Sequence, residues 1–562
     1  MGLTERNVSD STQPMVVREV LGTGLRLITE AMPHVRSVTI GVWLMRGSRH
    51  ETDAQSGIAH FVEHMLFKGT DSRSAEDIAQ AIDSIGGQLD AFTAKEYAGY
   101  YIKVLDEHLP LAVDLLSDIV MRPAFEEEEV GREKKVILEE IKMVEDTPDD
   151  LVHELFTQQF WEGHPLGRPI LGSRETVEAF TAASLREYFR GAYVAPNMIV
   201  SAAGNLDHVR VRDLGSNAFG TLAANGEGCT QQPPTVKPSV LLKTKELEQS
   251  HICLGTNSYQ QNHDDRYVSY ILNSVLGGSM SSRLFQNVRE KRGLAYSVFS
   301  GMSAYRDAGN LTIYAGCAAD AVEEVIDLSV EELRGLKRMP VPDDELKRAK
   351  DHLKGSLMLS LENTASRMSH LARQEIYFDR HFSLDETLAG VQRVSAEDIQ
   401  RVARDLLSNG SLAVTVLGPK APDRADRFLE ARAALFHRHP VDLELLRQEG
   451  AAEAGVEPAV AHVVEHREVA AEVRRVVERG NHRAGDQAHA LGARGDRRQE
   501  HARVGRMPAV VEERVLDRLH RVVAQRVGAL REAQALGVVV RGARIRRAER
   551  REEVDAEFHM PR

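Results

Sequence analysis

A short motif rich in histidine and glutamate is the part of the sequence best suited to catalysis. It reads His60-Phe61-Val62-Glu63-His64. Because an α-helix turns by about 100° per residue, residues 60 and 64 lie one turn apart and about 40° from eclipsed. Two imidazoles placed in this way can bind one tetrahedral metal ion. Glu63 lies on the flank of the same face, where its carboxylate can act as a base on a water molecule at the metal.

The neighbours of the motif favour a buried metal site over a chance arrangement of polar residues. The composition predicts on the order of 0.1 chance occurrences of H-x-x-E-H, the inverted form of a zinc-peptidase motif. The residues on either side, from 58 to 67, are apolar around nearly the whole helix, so we expect the helix to be buried. Buried polar side chains without partners cost several kcal/mol, and a divalent cation would supply the partner.

A catalytic zinc ion needs a third protein ligand and an open position for water. A helix predicted over residues 126–144 contains Glu133, Glu139 and Glu140. Glu133 and Glu140 are seven residues apart and share a face, whereas Glu139 is turned by about 100° from Glu140. A solvated helix face would explain any one of these glutamates equally well, and spacing alone does not select the ligand.

The elements that must position these residues are predicted to form a mixed α/β first half. They are a strand over 38–45, a buried helix over 57–67, a helix over 75–85, a strand or hairpin over 89–104, helices over 109–121 and 126–144, and a strand ending at 202–205. Ser74 and Asp77 form a capping pair for the helix over 75–85. The stretch 223–236, rich in Gly and Pro, is interpreted as a linker.

The second half is predicted to repeat this order of elements. They are a strand over 252–256, a helix over 267–276, a break at Gly277-Gly278, a helix through Arg289, a strand pair over 296–303 and 310–317, and helices over 321–336 and 344–361. Sequence identity between the halves is too weak to prove a repeat. The predicted divisions are an N-terminal extension (1–16), a catalytic domain (17–222), a linker (223–238), a second, inactive domain (239–435) and a tail (436–562).

The composition argues against several other classes of protein. No apolar run reaches the ~18 residues of a membrane helix. The cysteines, Cys229, Cys253 and Cys317, have neither metal-ligand nor disulfide spacing, which favours a reducing cytoplasm. Residues 1–440 carry 48 basic and 63 acidic side chains, a net charge of −15 that argues against nucleic acid and suits basic or neutral peptides. Residues 441–562 contain 23 Arg and no Lys, a bias typical of a disordered tail or of out-of-frame translation.

Three segments resemble the pitrilysin and mitochondrial processing peptidase family of zinc metallopeptidases. They are HFVEHMLFKGT (60–70), EKKVILEEI (133–141) and GHPLGRPILG (163–172). The resemblance covers roughly residues 17–430, and the chain looks like a bacterial, processing-peptidase-like, single-chain member. The tail beyond about residue 440 has no counterpart in the family.

The resemblance implies roles for residues that spacing leaves open. In the family the third zinc ligand is a glutamate 76 residues after the second histidine, which here is Glu140. A supporting glutamate seven residues earlier, here Glu133, orients a ligand. An R-x6-Y pattern from the second half lies across the active site, and Arg289 and Tyr296 match it. The tyrosine hydroxyl would stabilise an oxyanion and the arginine would hold the substrate.

The resemblance also implies a substrate-binding edge strand over residues 89–93, which would pair with a peptide backbone. Many family members have Asn at the position of Asp90. The aspartate would place a negative charge beside the expected path of the substrate.

The implied fold is α+β, with two homologous α/β domains, each an antiparallel sheet with helices on one face, that form half of a clam-shell chamber. The implied activity is that of a zinc endopeptidase acting on unfolded peptides or presequence-like segments. One Zn2+ per chain would be held by His60, His64 and Glu140, with Glu63 as general base on zinc-bound water. We expect a homodimer or a pair with an inactive homologue. The alternatives are a non-catalytic partner subunit and a metal-binding scaffold without peptidase activity.

Overall fold

The computed structural model of the chain describes residues 16–224, 231–236, 238–408 and 411–419. The predicted tail, the centre of the predicted linker and nearly all of the predicted N-terminal extension lie outside these residues. Within them, no helix is both long and apolar enough to cross a membrane.

The described first half contains one six-stranded sheet and its helices. The strands are β1 (Val16–Val20), β2 (Arg26–Ala31), β3 (Ser37–Leu44), β4 (Gln88–Thr93), β5 (Ala98–Leu105) and β6 (Met198–Gly204). The helices are α1 (Ile58–Leu66), α2 (Ala75–Asp83), α3 (Leu109–Met121), α4 (Glu127–Asp146), α5 (Pro148–Phe160), α6 (Arg174–Ala179), α7 (Ala182–Ala192) and α8 (His208–Ala218). The capping box predicted at Ser74 is confirmed at the start of α2, where Asp77 completes it.

The six strands are ordered β1-β2-β6-β3-β5-β4 across the sheet. Neighbouring strands are antiparallel except β2 and β6, which are parallel and pair Arg26 with Ile199. β3 is central and is buried along nearly its whole length, as expected for a strand that is covered on both faces. β4 lies at the edge of the sheet, at the end of the β4–β5 hairpin.

The described second half contains a five-stranded sheet with the same arrangement. Its strands are β7 (Ser239–Thr244), β8 (Ser250–Ser258), β9 (Ala295–Ala304), β10 (Gly309–Cys317) and β11 (Ala413–Gly418). Its α-helices are α9 (Arg266–Leu276), α10 (Val322–Arg338), α11 (Asp343–Ser360), α12 (Thr364–Phe378), α13 (Leu384–Arg393) and α14 (Ala396–Leu406).

The order β7-β11-β8-β10-β9 in the second sheet matches the order β2-β6-β3-β5-β4 in the first. The parallel pair recurs as well, between β7 and β11. The predicted fold of two homologous α/β domains is therefore confirmed. Each sheet adds one parallel pair to the antiparallel pairs that were predicted, because its last strand returns beside β2 in the first sheet and beside β7 in the second.

Each half contributes one helix to the sheet of the other half. The helix α12 packs on β6, β3 and β2 of the first sheet, whereas α5 packs on β11, β8 and β7 of the second. Met368 of α12 is fully buried and receives a hydrogen bond from Nε1 of Trp43 at 3.2 Å. The face of each sheet that lies opposite its own helices is thus covered by a helix from the other half.

The helix predicted through Arg289 differs from the expectation in its hydrogen bonding. Residues Phe285–Glu290 form a π-helix, in which the backbone N–H of Lys291 bonds to the carbonyl of Gln286. A hydrophobic pattern predicts a helix but does not distinguish bonds to residue i−4 from bonds to residue i−5. Such π turns are rare in proteins, and those that occur often lie at functional sites.

Candidate metal centre

The helix α1 brings both histidines of the motif to one side. The ring centroids of His60 and His64 are 4.6 Å apart. The other side of the helix carries Phe61, Val62 and other apolar residues that are buried in the core of the first half. Since α1 packs against α4 and β4, its polar side faces these two elements.

Glu140 of α4 completes a cluster of three possible metal ligands. Its Oε2 atom lies 3.6 Å from Nε2 of His60 and 3.6 Å from Nε2 of His64. Zinc ligands at about 2.0–2.1 Å in a tetrahedral arrangement lie about 3.3 Å apart, so these separations fit a single ion. The side chain of His60 is 5% exposed and that of Glu140 is 34% exposed, so the cluster opens to solvent beside Glu140.

Glu133 fixes the orientation and tautomer of His64. Its Oε2 atom lies 2.9 Å from Nδ1 of His64, and Nζ of Lys68 lies 2.6 Å from its Oε1. Burial opposes ionisation, but the hydrogen bonds from His64 and Lys68 lower the pKa of Glu133. The Nδ1–H group of His64 therefore donates to a carboxylate, and in the neutral imidazole this tautomer has its Nε2 lone pair on the side of Glu140. This is the form of imidazole that binds a metal.

The electrostatics around Glu140 also suit a cation. Burial raises the pKa of Glu140; His64 opposes this shift, and the carboxylate of Glu133 adds to it. A divalent cation between Glu140 and the two imidazoles would offset both the burial and the like charge. Two imidazoles and one carboxylate form a ligand set that zinc commonly uses in catalytic sites.

Glu63 is held by a residue from the edge strand. The side chain of Thr93, the last residue of β4, donates a hydrogen bond from Oγ1 to Oε2 of Glu63 at 2.5 Å. Glu63 is only 4% exposed, so its carboxylate is confined beside the two histidines. Sequence reasoning missed Thr93 because it is uncharged; the available signal was the strand alternation that turns residues 91 and 93 to one face.

The other glutamates of α4 belong to its solvated face. Glu139 is 67% exposed and forms an ion pair with Lys142. At the start of the helix, Glu128 and Glu129 pair with Arg132. Of the three glutamates that the sequence left open, Glu133 and Glu140 face α1 and Glu139 does not.

Arg289 and Tyr296 lie together in the second half. Nη1 of Arg289 donates to the backbone oxygen of Tyr296 at 2.5 Å, and the guanidinium lies 4.9 Å from the tyrosine ring centroid. Tyr296 is near the start of β9 and is 78% exposed. The structure brings the two residues to each other, and their position across the site from α1 stays a prediction.

Asp90 makes its contacts within the β4–β5 hairpin. Its Oδ2 atom accepts a hydrogen bond from the hydroxyl of Tyr101 at 2.9 Å, and its Oδ1 accepts from the backbone N–H of Ala91 at 2.8 Å. The negative charge predicted beside the substrate path is therefore partly satisfied by hydrogen bonds from the hairpin itself.

Two family models match the chain. Residues 26–174 match the model described as Insulinase (Peptidase family M16), and residues 179–353 match the Peptidase M16 inactive domain. The first range contains the histidine motif and α4, and the second contains β7 to β10.

Curated bacterial proteins are similar in sequence over nearly their whole length. The chain is 44% identical to YmxG of Bacillus subtilis, described as an uncharacterized zinc protease, over 405 residues that cover 72% of this chain and 98% of the relative. It is 42% identical to an uncharacterized zinc protease of Streptomyces coelicolor over 426 residues, which cover 74% of this chain and 93% of the relative.

Solved structures share the fold. A peptidase M16 inactive domain from Pseudomonas fluorescens gives a TM-score of 0.68 at 21% identity and covers 72% of this chain and 98% of its own. A protease from Helicobacter pylori gives a TM-score of 0.67 at 22% identity and covers 72% of this chain and 100% of its own. The family models and the relatives confirm the resemblance noted from the motifs, and the chain belongs to the insulinase-type peptidases of family M16.

Proposed function

We propose that the chain is a zinc-dependent endopeptidase whose metal ligands are His60, His64 and Glu140. The observation that carries the proposal is the approach of Glu140 Oε2 to 3.6 Å from both Nε2 atoms, although the three residues come from two helices. A zinc ion bound there would supply Lewis-acid activation of water and of the scissile carbonyl. The names of the bacterial relatives, which are described as zinc proteases, support the same chemistry.

Glu63 is the general base in this proposal. It directly precedes His64 on α1, is almost fully buried and is held by the hydroxyl of Thr93. Its carboxylate would take the proton of the attacking water and pass it to the leaving amine nitrogen. Because the carboxylate is already confined, little conformational freedom is lost when the substrate arrives.

Arg289 and Tyr296 would act on the substrate from the second half. The exposed tyrosine hydroxyl can donate a hydrogen bond to the oxyanion that develops on the carbonyl. The arginine holds the backbone oxygen of Tyr296 and lies against its ring, so it would also orient the tyrosine. The edge strand β4 would pair with the substrate backbone, as an added strand does in other peptide-binding proteins.

Replacing Glu63 with Gln tests the assignment of the base. We expect Glu63→Gln to retain zinc, because the residue is not a ligand, and to lose about 10²–10⁴-fold in kcat on a fluorogenic peptide. Glu139→Gln, which changes an exposed glutamate of α4, is the matched control and should retain full turnover. Near-normal peptidase activity in Glu63→Gln would refute the role.

The same assay separates the enzyme from the alternatives. A non-catalytic partner subunit or a metal scaffold would cleave no peptide with or without chelator. All four positions of the ligand set and base are present, which favours the enzyme over the partner subunit. A homodimer or a pair with an inactive homologue, and a cytoplasmic location, remain parts of the proposal.

A further inference from the structure

The N-terminus of α1 lacks a side-chain cap of its own. Its N-cap residue is Gly57, in the left-handed region at φ +95°, and glycine has no side chain to accept the N–H groups of the first turn. The helix has nine residues, so its position depends strongly on what satisfies these groups. Both histidines and Glu63 lie within its first seven residues.

Glu51, six residues before Gly57, supplies the missing cap. Its Oε2 atom accepts the backbone N–H of Gly57 at 2.8 Å, and its Oε1 accepts that of Ala59 at 2.8 Å. The residue is 4% exposed, so water does not compete for these bonds. Burial raises the pKa of Glu51 to about 8, whereas the two backbone N–H groups and the charges of Lys95 and Arg168 oppose this shift. The helix dipole also favours the ionised form at a helix N-terminus. Ala59, which donates the second bond, directly precedes the first histidine.

The loop that carries the GHPLGRPILG motif encloses this cap. Nη1 of Arg168 donates to the backbone oxygen of Glu51 at 2.6 Å. Gly57 and Gly172 are in direct backbone contact: a Cβ atom on Gly57 would lie 2.6 Å from the oxygen of Leu171, and one on Gly172 would lie 2.3 Å from the oxygen of Ser56. Both glycines have positive φ, so the contact depends on two residues without side chains.

We propose that Glu51 is a positioning residue for the metal centre, and that the loop over 163–172 holds it in place. The carboxylate sets the axial position and the rotation of α1 by accepting hydrogen bonds from two backbone N–H groups. The loop holds the backbone of Glu51 through the hydrogen bond from Arg168. Metal and catalytic groups need to be held within about 0.5 Å and 10–20° of their working geometry. This inference rests on the proposed zinc site.

The test compares zinc binding by the wild-type chain, Glu51→Gln and the control Glu187→Gln, which changes an exposed glutamate of α7. The amide of Gln presents one NH2 group where two backbone N–H groups need acceptors, so one hydrogen bond is lost. We expect Glu51→Gln to bind zinc at least 10-fold more weakly in competition with a chromogenic chelator, while Glu187→Gln binds as the wild type does.

Two further readouts separate positioning from a general loss of stability. A purely structural role would lower the Tm of the metal-free and zinc-bound proteins equally, whereas we expect the increase in Tm on adding zinc to be smaller in Glu51→Gln. The visible absorption spectrum of the cobalt-substituted protein should also change in shape. Zinc affinity within twofold of wild type, with an unchanged cobalt spectrum, would overturn the inference.

A milder variant covers the case in which Glu51→Gln does not fold. Arg168→Met removes the loop's hydrogen bond to the backbone of Glu51, together with the ion pair between Arg168 and Asp53. It changes neither the Glu51 side chain nor the two N–H groups that donate to it. We expect a loss of about threefold or more in zinc affinity, and an unchanged affinity would overturn the inference. If the wild-type chain itself binds no zinc, the proposed function fails instead, so the two failures are distinguishable.

Discussion

Two of the polar side chains on the metal-facing side of α1 are held by different elements. His64 is fixed by Glu133 of α4 and Glu63 by Thr93 of β4. A long side chain loses up to about 2 kcal/mol of conformational entropy when it is ordered. Partners that order these groups before the substrate binds remove this entropy cost from the transition state.

Thr93 gives the most specific prediction at the scale of single residues. Its hydroxyl bonds to a carboxylate, and hydrogen bonds to charged groups are worth about 1.5–3 kcal/mol. We expect Thr93→Val, which keeps the shape and removes the hydroxyl, to lower kcat by about 10- to 100-fold with KM nearly unchanged.

Thr93→Ser is the control, because serine keeps the hydroxyl on the same strand. It should restore most of the lost kcat, measured on the same fluorogenic peptide. Equal losses in the valine and serine variants would show that the methyl packing, and not the hydroxyl, matters at this position.

At the scale of elements, α12 ties the second half to the first sheet. Glu375 of α12 is fully buried and accepts hydrogen bonds from Arg18 of β1 and Arg26 of β2. His370 lies on the same helix, and Nε2 of Gln374 lies 2.5 Å from its Nε2. Since Gln374 accepts the N–H of Phe382 through its Oε1, its amide nitrogen is the donor and the histidine must be neutral.

His370 predicts a loss of stability in acid. Burial, together with the positive charges of Arg373 and Arg367, lowers its pKa to about 4. The unfolded chain therefore binds a proton near pH 6.5 that the folded chain binds only near pH 4, so stability falls as the pH drops through this window. We expect this histidine to account for about 1–3 kcal/mol of the free energy of unfolding between pH 6.5 and pH 4.

Urea unfolding across that pH range measures the effect. His370→Gln should show a shallower decline than the wild type, whereas His34→Gln, which changes an exposed histidine, should follow the wild type. Identical pH profiles for His370→Gln and the wild type would contradict the assignment.

Local patterns predicted the elements that carry the site, and long-range pairing was beyond them. The strand-like run over residues 38–45 predicted β3, and the apolar residues around the histidine motif predicted the buried helix α1. The parallel pairing of β2 with β6 joins residues about 170 positions apart, which periodicity does not encode. The exchange of α5 and α12 between the halves was missed for the same reason. Thr93 was missed because it is uncharged, although strand alternation places it on the same face as residue 91. Glu51 was missed because it bonds to Gly57 and Ala59 through a loop conformation that periodicity does not encode.

At the scale of the whole molecule, charge is the property that bears on substrate choice. Residues 1–440 carry a net charge of −15, which should attract basic peptides and repel acidic ones. We expect kcat/KM to be higher for a basic peptide than for an acidic peptide with the same residues at the cleaved bond. The difference should shrink as salt is raised from about 10 mM to about 150 mM, because screening shortens the range of the field. Equal kcat/KM values for the two peptides at low salt would contradict this prediction.

The central claim is that three side chains from two helices hold one zinc ion, and zinc content by elemental analysis tests it most directly. We predict about one zinc per chain in the wild type and in Glu139→Gln, and a large loss in Glu140→Gln, because residue 140 faces the histidines and residue 139 faces solvent. A full zinc content in Glu140→Gln, or a loss confined to Glu139→Gln, would contradict the account.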